Sequence, residues 1–189
     1  MLLFADELDI HLLPKVGFEW MPKGMQTRVM TPGKNEKKYL AGALNIVTGK
    51  ILHAVSDRKT RFLFIELLKG INRTYSAGKF SRVYVVVDNY SIHSAIDVAA
   101  WLAAHPRFEL LWLPTYCPRS NPIERVFGDV HDKCTRNHKR QTLDELIEDI
   151  KWHFKLNGPW RYKLSEVYYE ESVENEMKKL KPQLKSLAA

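Results

Sequence analysis

The chain has 189 residues, 45% of them hydrophobic, which suits one domain with a real core and argues against a second full domain. Lys and Arg outnumber Asp and Glu by 29 to 22, and the resulting net charge of +7 favours a polyanionic partner. No apolar run reaches the roughly 18 residues of a membrane span, and acids break the opening MLLFADELDI too early for a signal peptide, so no membrane association and a cytoplasmic protein are expected.

In chain order, LLFAD (2–6) is an apolar strand that ends on an acid, followed by β-rich stretches at FEWMP (18–22), KYLAGALNIV (38–47) and KILHAVS (50–56). The last two form a hairpin around Thr48-Gly49. Thr60 is placed to cap a helix running to about Gly70, with Phe62, Phe64, Ile65, Leu67 and Leu68 on its apolar side. VYVVVD (83–88) lacks polar alternation until its last residue and reads as a strand buried on both faces. A helix over about 94–104, a strand FELLWL (108–113) and a proline-rich loop PTYCPRSNPIE lead into a helix over about 122–137. Thr142 with Glu145 is a capping-box pattern for a further helix to about Leu156. A Gly158-Pro159 break then divides a domain over 1–157 from an extension over 158–189, whose charged stretch 164–181 reads as a peripheral helix. Strands first in antiparallel order and then alternating with helices predict a mixed sheet with helices on both sides. Cys117 and Cys134 have no CxxC spacing, so reduced thiols are expected rather than a zinc or redox motif.

Asp6 and Asp88 close two strands, which predicts that both lie at the carboxyl edge of the sheet, where open α/β sheets hold their sites. Acids at strand ends also occur simply because Asp prefers the surface. Glu124 has two readings. With Asn121 as cap and Pro122 at the first helical position, Asn-x-x-Glu is a capping box whose Glu satisfies a backbone donor. Alternatively, the intervening helix and strand return Glu124 to the edge that holds both Asp residues. Three acids there would repel one another unless cations intervened, and oxygen-only ligands suit Mg or Mn.

FADELDIHLLPKVGFEWMPKG, VVVDNYSIH and LPTYCPRSNPIE, in this order, resemble the DDE transposases of the mariner-related insertion-sequence group, the bacterial IS-six-thirty type. The resemblance spans roughly residues 1–155. It implies a ribonuclease-H-like fold, a mixed five-stranded sheet flanked by helices, and metal-dependent DNA strand cleavage and strand transfer. By motif position it assigns Asp6, Asp88 and Glu124 as catalytic and metal-binding residues for two Mg or Mn ions, with element ends and target DNA as partners and a homodimer on DNA as the assembly. Family members carry a helix-turn-helix portion ahead of the first catalytic Asp, so this chain is expected to be a fragment, the second frame of a split gene or a decayed copy. Cys117, Arg119, Ser120 and Phe127 depart from the family pattern without removing a ligand.

Other residues carry weaker expectations. Strand alternation turns Glu7 away from Asp6, where it either orients a neighbour or, as favoured, is a solvated acid. His93 of DNxxxH either contacts a phosphate or a carboxylate at the site or caps a helix. Arg119 either contacts a phosphate or packs on its loop. His131 lies two helical turns beyond Glu124, too far to ligate directly. Asp129 and Asp132 are expected to pair with Arg125 and Arg136, and Trp20 to pack in the core. Two basic groups, Lys23, Arg28, Lys34, Lys37 and Lys38, and Lys133, Arg136, Lys139 and Arg140, are either DNA-backbone contacts or a solvated surface. A transposase catalytic domain is the function expected. The rivals are a non-enzymatic DNA-binding or assembly remnant of a transposase and a cellular nuclease of the ribonuclease-H-like class.

Overall fold

The computed structural model describes residues 1–26, 28, 29, 31–114 and 120–160. A five-stranded sheet in the order β3-β2-β1-β4-β5 is built from β1 (Leu2–His11), β2 (Lys37–Asn45), β3 (Ile51–Ser56), β4 (Val83–Val87) and β5 (Phe108–Trp112). β1, β2 and β3 pair antiparallel, whereas β4 pairs parallel with β1 and with β5, as expected of a mixed sheet. Helices α1 (Arg61–Thr74), α2 (Ile96–Ala104), α3 (Pro122–Val130) and α4 (Leu143–Asn157) supply the covering layers.

Alternation along β1 divides the core. Leu3 and Ala5 join Ala41, Ala43, Val83, Val85 and Val87 beneath Leu63, Phe64, Leu67, Leu68 and Ile71 of α1 and Val98 of α2. Leu8 and Ile10 join Leu40 and Leu44 on the other face, beneath Ile123, Val126, Phe127 and Val130 of α3 and Leu143, Leu146, Ile147 and Ile150 of α4. Each fully buried Leu, Ile or Phe contributes about 1.5–3 kcal/mol, so the two layers rather than helix propensity hold the elements in place. β4 is buried on both faces because Val83, Val85 and Val87 join the α1 layer while Val86 packs with Phe4 and Ile46 in a small cluster.

Local chemistry explains several boundaries. Gly49, at φ +69, turns the β2–β3 hairpin, a left-handed conformation that suits glycine. Thr142 Oγ1 accepts a hydrogen bond from the Glu145 amide at 3.3 Å, capping α4, while Glu145 Oε2 takes the amide of Gln141 at 3.1 Å. The helix expected over 122–137 is α3 followed by a π-helical turn, His131–Thr135.

Four sequence expectations are corrected. β1 does not stop at Asp6 but runs to His11, because β2 pairs with it along that whole length. FEWMP forms no strand, and Phe18 and Trp20 are fully exposed, since nothing covers them among the described residues. Phe62 is exposed, and the buried side of α1 passes through Leu63 and Phe64 instead. Thr60 holds the N-cap position of α1 without a side-chain capping bond. Cys134 is a buried free thiol. Cys117, Arg119 and the stretch 164–181 lie outside the described residues.

Candidate active site

The site forms where β1 outruns β4. Their parallel pairing ends at Phe4 beside Val86, and two positions further along each chain stand Asp6 and Asp88. Asp6 is thus in the middle of its strand, yet at the end of the β4 seam. Its carboxylate accepts the Glu7 amide at 2.7 Å. Asp88 leaves β4 in a tight turn in which its Oδ1 accepts the Tyr90 amide at 3.0 Å. Asn89 ties the same turn to β5 by donating to the Leu113 carbonyl at 2.7 Å.

Glu124 reaches the site on α3. Directly across from Asp6 on β2 is Gly42, and a Cβ there would lie 2.9 Å from Phe127 Cζ and 3.1 Å from Ile123 Cδ1. Only a glycine lets α3 settle this close to the sheet, and Glu124 follows Ile123 in that helix. Asn121, a buried residue, donates through Nδ2 to the carbonyl of Ala5 at 3.2 Å, pinning the start of α3 to the residue before Asp6. It sits at the N-cap position but makes no side-chain capping bond, so Asn121 acts as a tie to β1 rather than as the expected cap. The capping-box alternative for Glu124 has no support here, since no capping bond joins it to Asn121.

The electrostatics tie the three carboxylates together. Burial raises the Asp6 carboxyl to about 6, with the charge of Asp88 adding to the rise and the Glu7 amide and Lys59 opposing it. Glu124 is solvent-exposed but is pushed up to about 7, first by partial loss of solvation and then by Asp6 and Asp88. These are carboxylates short of positive charge. The cation that Asp6 feels is Lys59, whose Nζ is 3.3 Å from Asp9 Oδ1 and 5.2 Å from the centre of the Tyr90 ring. Among the described residues, no three His, Cys, Asp or Glu side chains stand together at the spacing of a formed ion site.

Glu7 corrects its expectation. It does face away from Asp6, but its side chain is only 2% exposed rather than solvated, and burial followed by the charge of Asp6 raises it to about 8. The missed signal was parity: Glu7 shares a face with Leu3 and Ala5, both core residues. His93 is buried beside it, its Nε2 3.7 Å from Glu7 Oε2 and 3.2 Å from Asp88 Oδ1, which meets the expectation of a carboxylate neighbour. Burial lowers the His93 imidazole to about 4 against the pull of Asp88, so the ring is neutral near pH 7. Gly42 and Lys59 were not singled out by sequence. A glycine inside a strand is the signal for close backbone approach that would have found the first.

Elsewhere, Asp132 pairs with Arg136 as expected, whereas Asp129 bonds His153 at 2.7 Å. His131 turns to Thr135 Oγ1 at 2.7 Å and to Lys15. In the basic groups, Lys34 pairs with Glu36, Lys38 with Asp144 and Asp57, and Arg140 with Asp149. No helix among the described residues is long and apolar enough to cross a membrane.

A mixed sheet of this strand order, with acids on its first strand, just past its fourth and at the head of the following helix, has the ribonuclease-H-like endonuclease architecture. The chain belongs to the DDE superfamily endonucleases, whose family pattern matches residues 1–147. It is 42% identical over 157 residues to the insertion element IS630 uncharacterized 39 kDa protein of Shigella sonnei, across 83% of this chain and 45% of that protein. The catalytic domain of Mos1 mariner transposase matches it with a TM-score of 0.61 at 16% identity, over 90% of this chain and 84% of that one. The Mos1 mariner paired end complex with Mn gives a TM-score of 0.65 at 16% identity, over 90% and 56%. These two likenesses show a common fold. The chain spans about half the length of the curated relative it matches.

Proposed function

We propose that this chain is the catalytic domain of a DDE transposase, performing metal-dependent DNA strand cleavage and strand transfer with Asp6, Asp88 and Glu124. One observation carries the proposal: Asp6 and Asp88 stand two positions past the last pair of the β1–β4 seam, and Asn121 ties the head of the helix that carries Glu124 to Ala5, so acids far apart in sequence gather at one end of that seam. A fold that gathers like charges at the end of a strand seam does so at a cost in stability, which a function must offset.

The chemistry of the donor set suits Mg or Mn, two ions on this reading, once the three carboxylates draw in around them. The set consists of hard carboxylate oxygens deficient in positive charge, and Oδ1 of Asp88 is the oxygen held by the Tyr90 amide and faced by His93. Bound by this set, a pair of divalent ions would activate the attacking oxygen and stabilise the leaving oxygen of a phosphodiester. The protein's own part is positional. β1 and its Glu7 amide hold Asp6, the Tyr90 amide holds Asp88, and the Asn121 tie with the Gly42 contact sets the depth of α3 and hence of Glu124. On this reading residues 1–157 are the catalytic domain and 158–189 an extension, the partners are element-end and target DNA, and the protein acts in the cytoplasm as a homodimer on DNA. The Mos1 complexes with a transposon end and with Mg or Mn, which share this fold, support the DNA and metal parts of this reading.

The test is nicking of supercoiled plasmid with Mg or Mn by the chain and by Asp88→Asn, which keeps shape and loses charge. The variant is expected to fold and bind DNA normally but to nick at background rate. Nicking at the parent rate would remove Asp88 from the catalytic set.

A further inference from the structure

We propose that Glu7 and His93 are a buried positioning pair that sets the carboxylate of Asp88 from the α1 side of the sheet. The inference rests on Asp88 being a metal-holding carboxylate, as proposed above. His93 has a side chain with 0% exposure, and its Nε2 lies 3.2 Å from Asp88 Oδ1 and 3.7 Å from Glu7 Oε2. The ring is held edge-on to Phe64 of α1 at a centroid distance of 4.4 Å and faces Tyr90 at 6.4 Å, so its plane is fixed by packing. Glu7 is equally enclosed.

Such burial is unfavourable for folding. Neither ring nitrogen of His93 nor Glu7 Oε1 has a well-formed hydrogen bond among the described residues, and native proteins rarely keep such atoms without another task. Leu or Phe would fill the same space between Phe64 and the sheet without that penalty. The polar pair makes sense through what it faces. The Tyr90 amide and His93 both address Oδ1 of Asp88, so together they determine which oxygen turns inward and which is presented outward. Glu7, on the strand that carries Asp6, lies 3.7 Å from the same ring nitrogen, so one rigid strand positions both Asp residues, one directly and one through His93. Groups that orient a ligating side chain in this way typically change metal affinity about 10–100-fold when removed.

The experiment titrates Mn into the full chain, reading free Mn by electron paramagnetic resonance, with metal-free thermal unfolding measured in parallel. The variants are Asp88→Asn, His93→Leu, His93→Gln and Glu7→Gln. His93→Leu is expected to weaken Mn binding about 10-fold or more while its metal-free melting temperature holds or rises, because a buried imidazole without a well-formed hydrogen bond has been replaced by an apolar side chain. His93→Gln, which keeps a donor, should fall between parent and Leu. Glu7→Gln should weaken binding alone but add little to His93→Leu, as expected of two links in one chain of contacts. Parent-like Mn affinity in His93→Leu, alongside a defective Asp88→Asn, overturns the positioning role and leaves Asp88 as ligand. Parent-like affinity in Asp88→Asn overturns the ligand assignment itself, and the positioning role with it. Should His93→Leu fail to fold, Glu7→Gln and His93→Gln decide: parent-like affinity in both overturns the inference.

Discussion

Substituting Gly42 by Ala isolates the contact that sets the depth of α3. The new methyl group would lie 2.9 Å from Phe127 Cζ and 3.1 Å from Ile123 Cδ1, inside the distance that carbon atoms tolerate, and both neighbours are buried. Overpacking of this kind destabilises by about 1–3 kcal/mol, offset by about 0.4–1 kcal/mol from the reduced freedom of the unfolded chain when Gly becomes Ala. The net loss of very roughly 1–2 kcal/mol lowers the melting temperature by a few degrees for a chain of this size. The functional effect should be larger than the stability effect. Any outward shift of α3 carries Glu124 with it, and a displacement of about 1 Å can reduce a rate about 100-fold, so single-turnover nicking at saturating Mg should fall about 10-fold or more. Adding Phe127→Leu, which removes the far end of the ring, should restore part of the rate in the Gly42→Ala background although it lowers it alone. Gly42→Ala with a parent rate and a raised melting temperature would show that α3 is not seated on that glycine and would refute the reasoning.

Glu124→Gln should preserve the fold and abolish Mg-dependent nicking, since its carboxylate caps nothing and can be spared by the helix; gel assay of plasmid nicking and circular dichroism decide this. The metal-free protein should lose stability as pH rises. The Asp6 carboxyl is raised from 3.8 to about 6 and Glu124 from 4.5 to about 7, so their support for the fold is full below 3.8 and 4.5 and is lost as pH climbs to about 6 and about 7 respectively. Asp6 alone contributes at most about 3 kcal/mol to this trend, which thermal melts between pH 5 and 8 should reveal and saturating Mn should flatten. DNA binding by the chain should be non-specific, with a Kd of roughly 10⁻⁴ to 10⁻⁶ M at physiological salt and a steep salt dependence. Anisotropy titrations with element-end and scrambled DNA at two salt concentrations test it, and tight end-specific binding at high salt would contradict it.

Much of this architecture was legible because its signals were local. VYVVV has no polar alternation and is buried on both faces, Thr48-Gly49 marks a turn that glycine serves, and Thr142 with Glu145 caps α4 from within one segment. Asp6 and Asp88 of the candidate site also stand out locally, where apolar runs stop. What escaped depended on partners distant in sequence. Acids at positions 6, 7 and 9 disguised the length of β1, which only its pairing with β2 reveals. FEWMP has strand-forming residues but no neighbouring strand to accept them. The tie from Asn121 to Ala5 displaced a local cap that the sequence motif favours, and Glu7 was taken for a surface acid because nothing nearby in the chain announces the His93 enclosure.

The parallel seam between β1 and β4 has a consequence for how the molecule comes together. β2 and β3 meet through a tight turn, but β1 meets β4 only by bringing Leu2 beside Tyr84, one of the most distant pairings in the sheet. Contacts across so much chain are slow to form, since the loop must close before they contribute. Asp6 can therefore be in place on the β1–β2 pair while Asp88 is still unattached, and the repulsion between them is felt as β4 docks. Acid or a divalent cation should accordingly accelerate refolding of the chain, and not only protect it once folded.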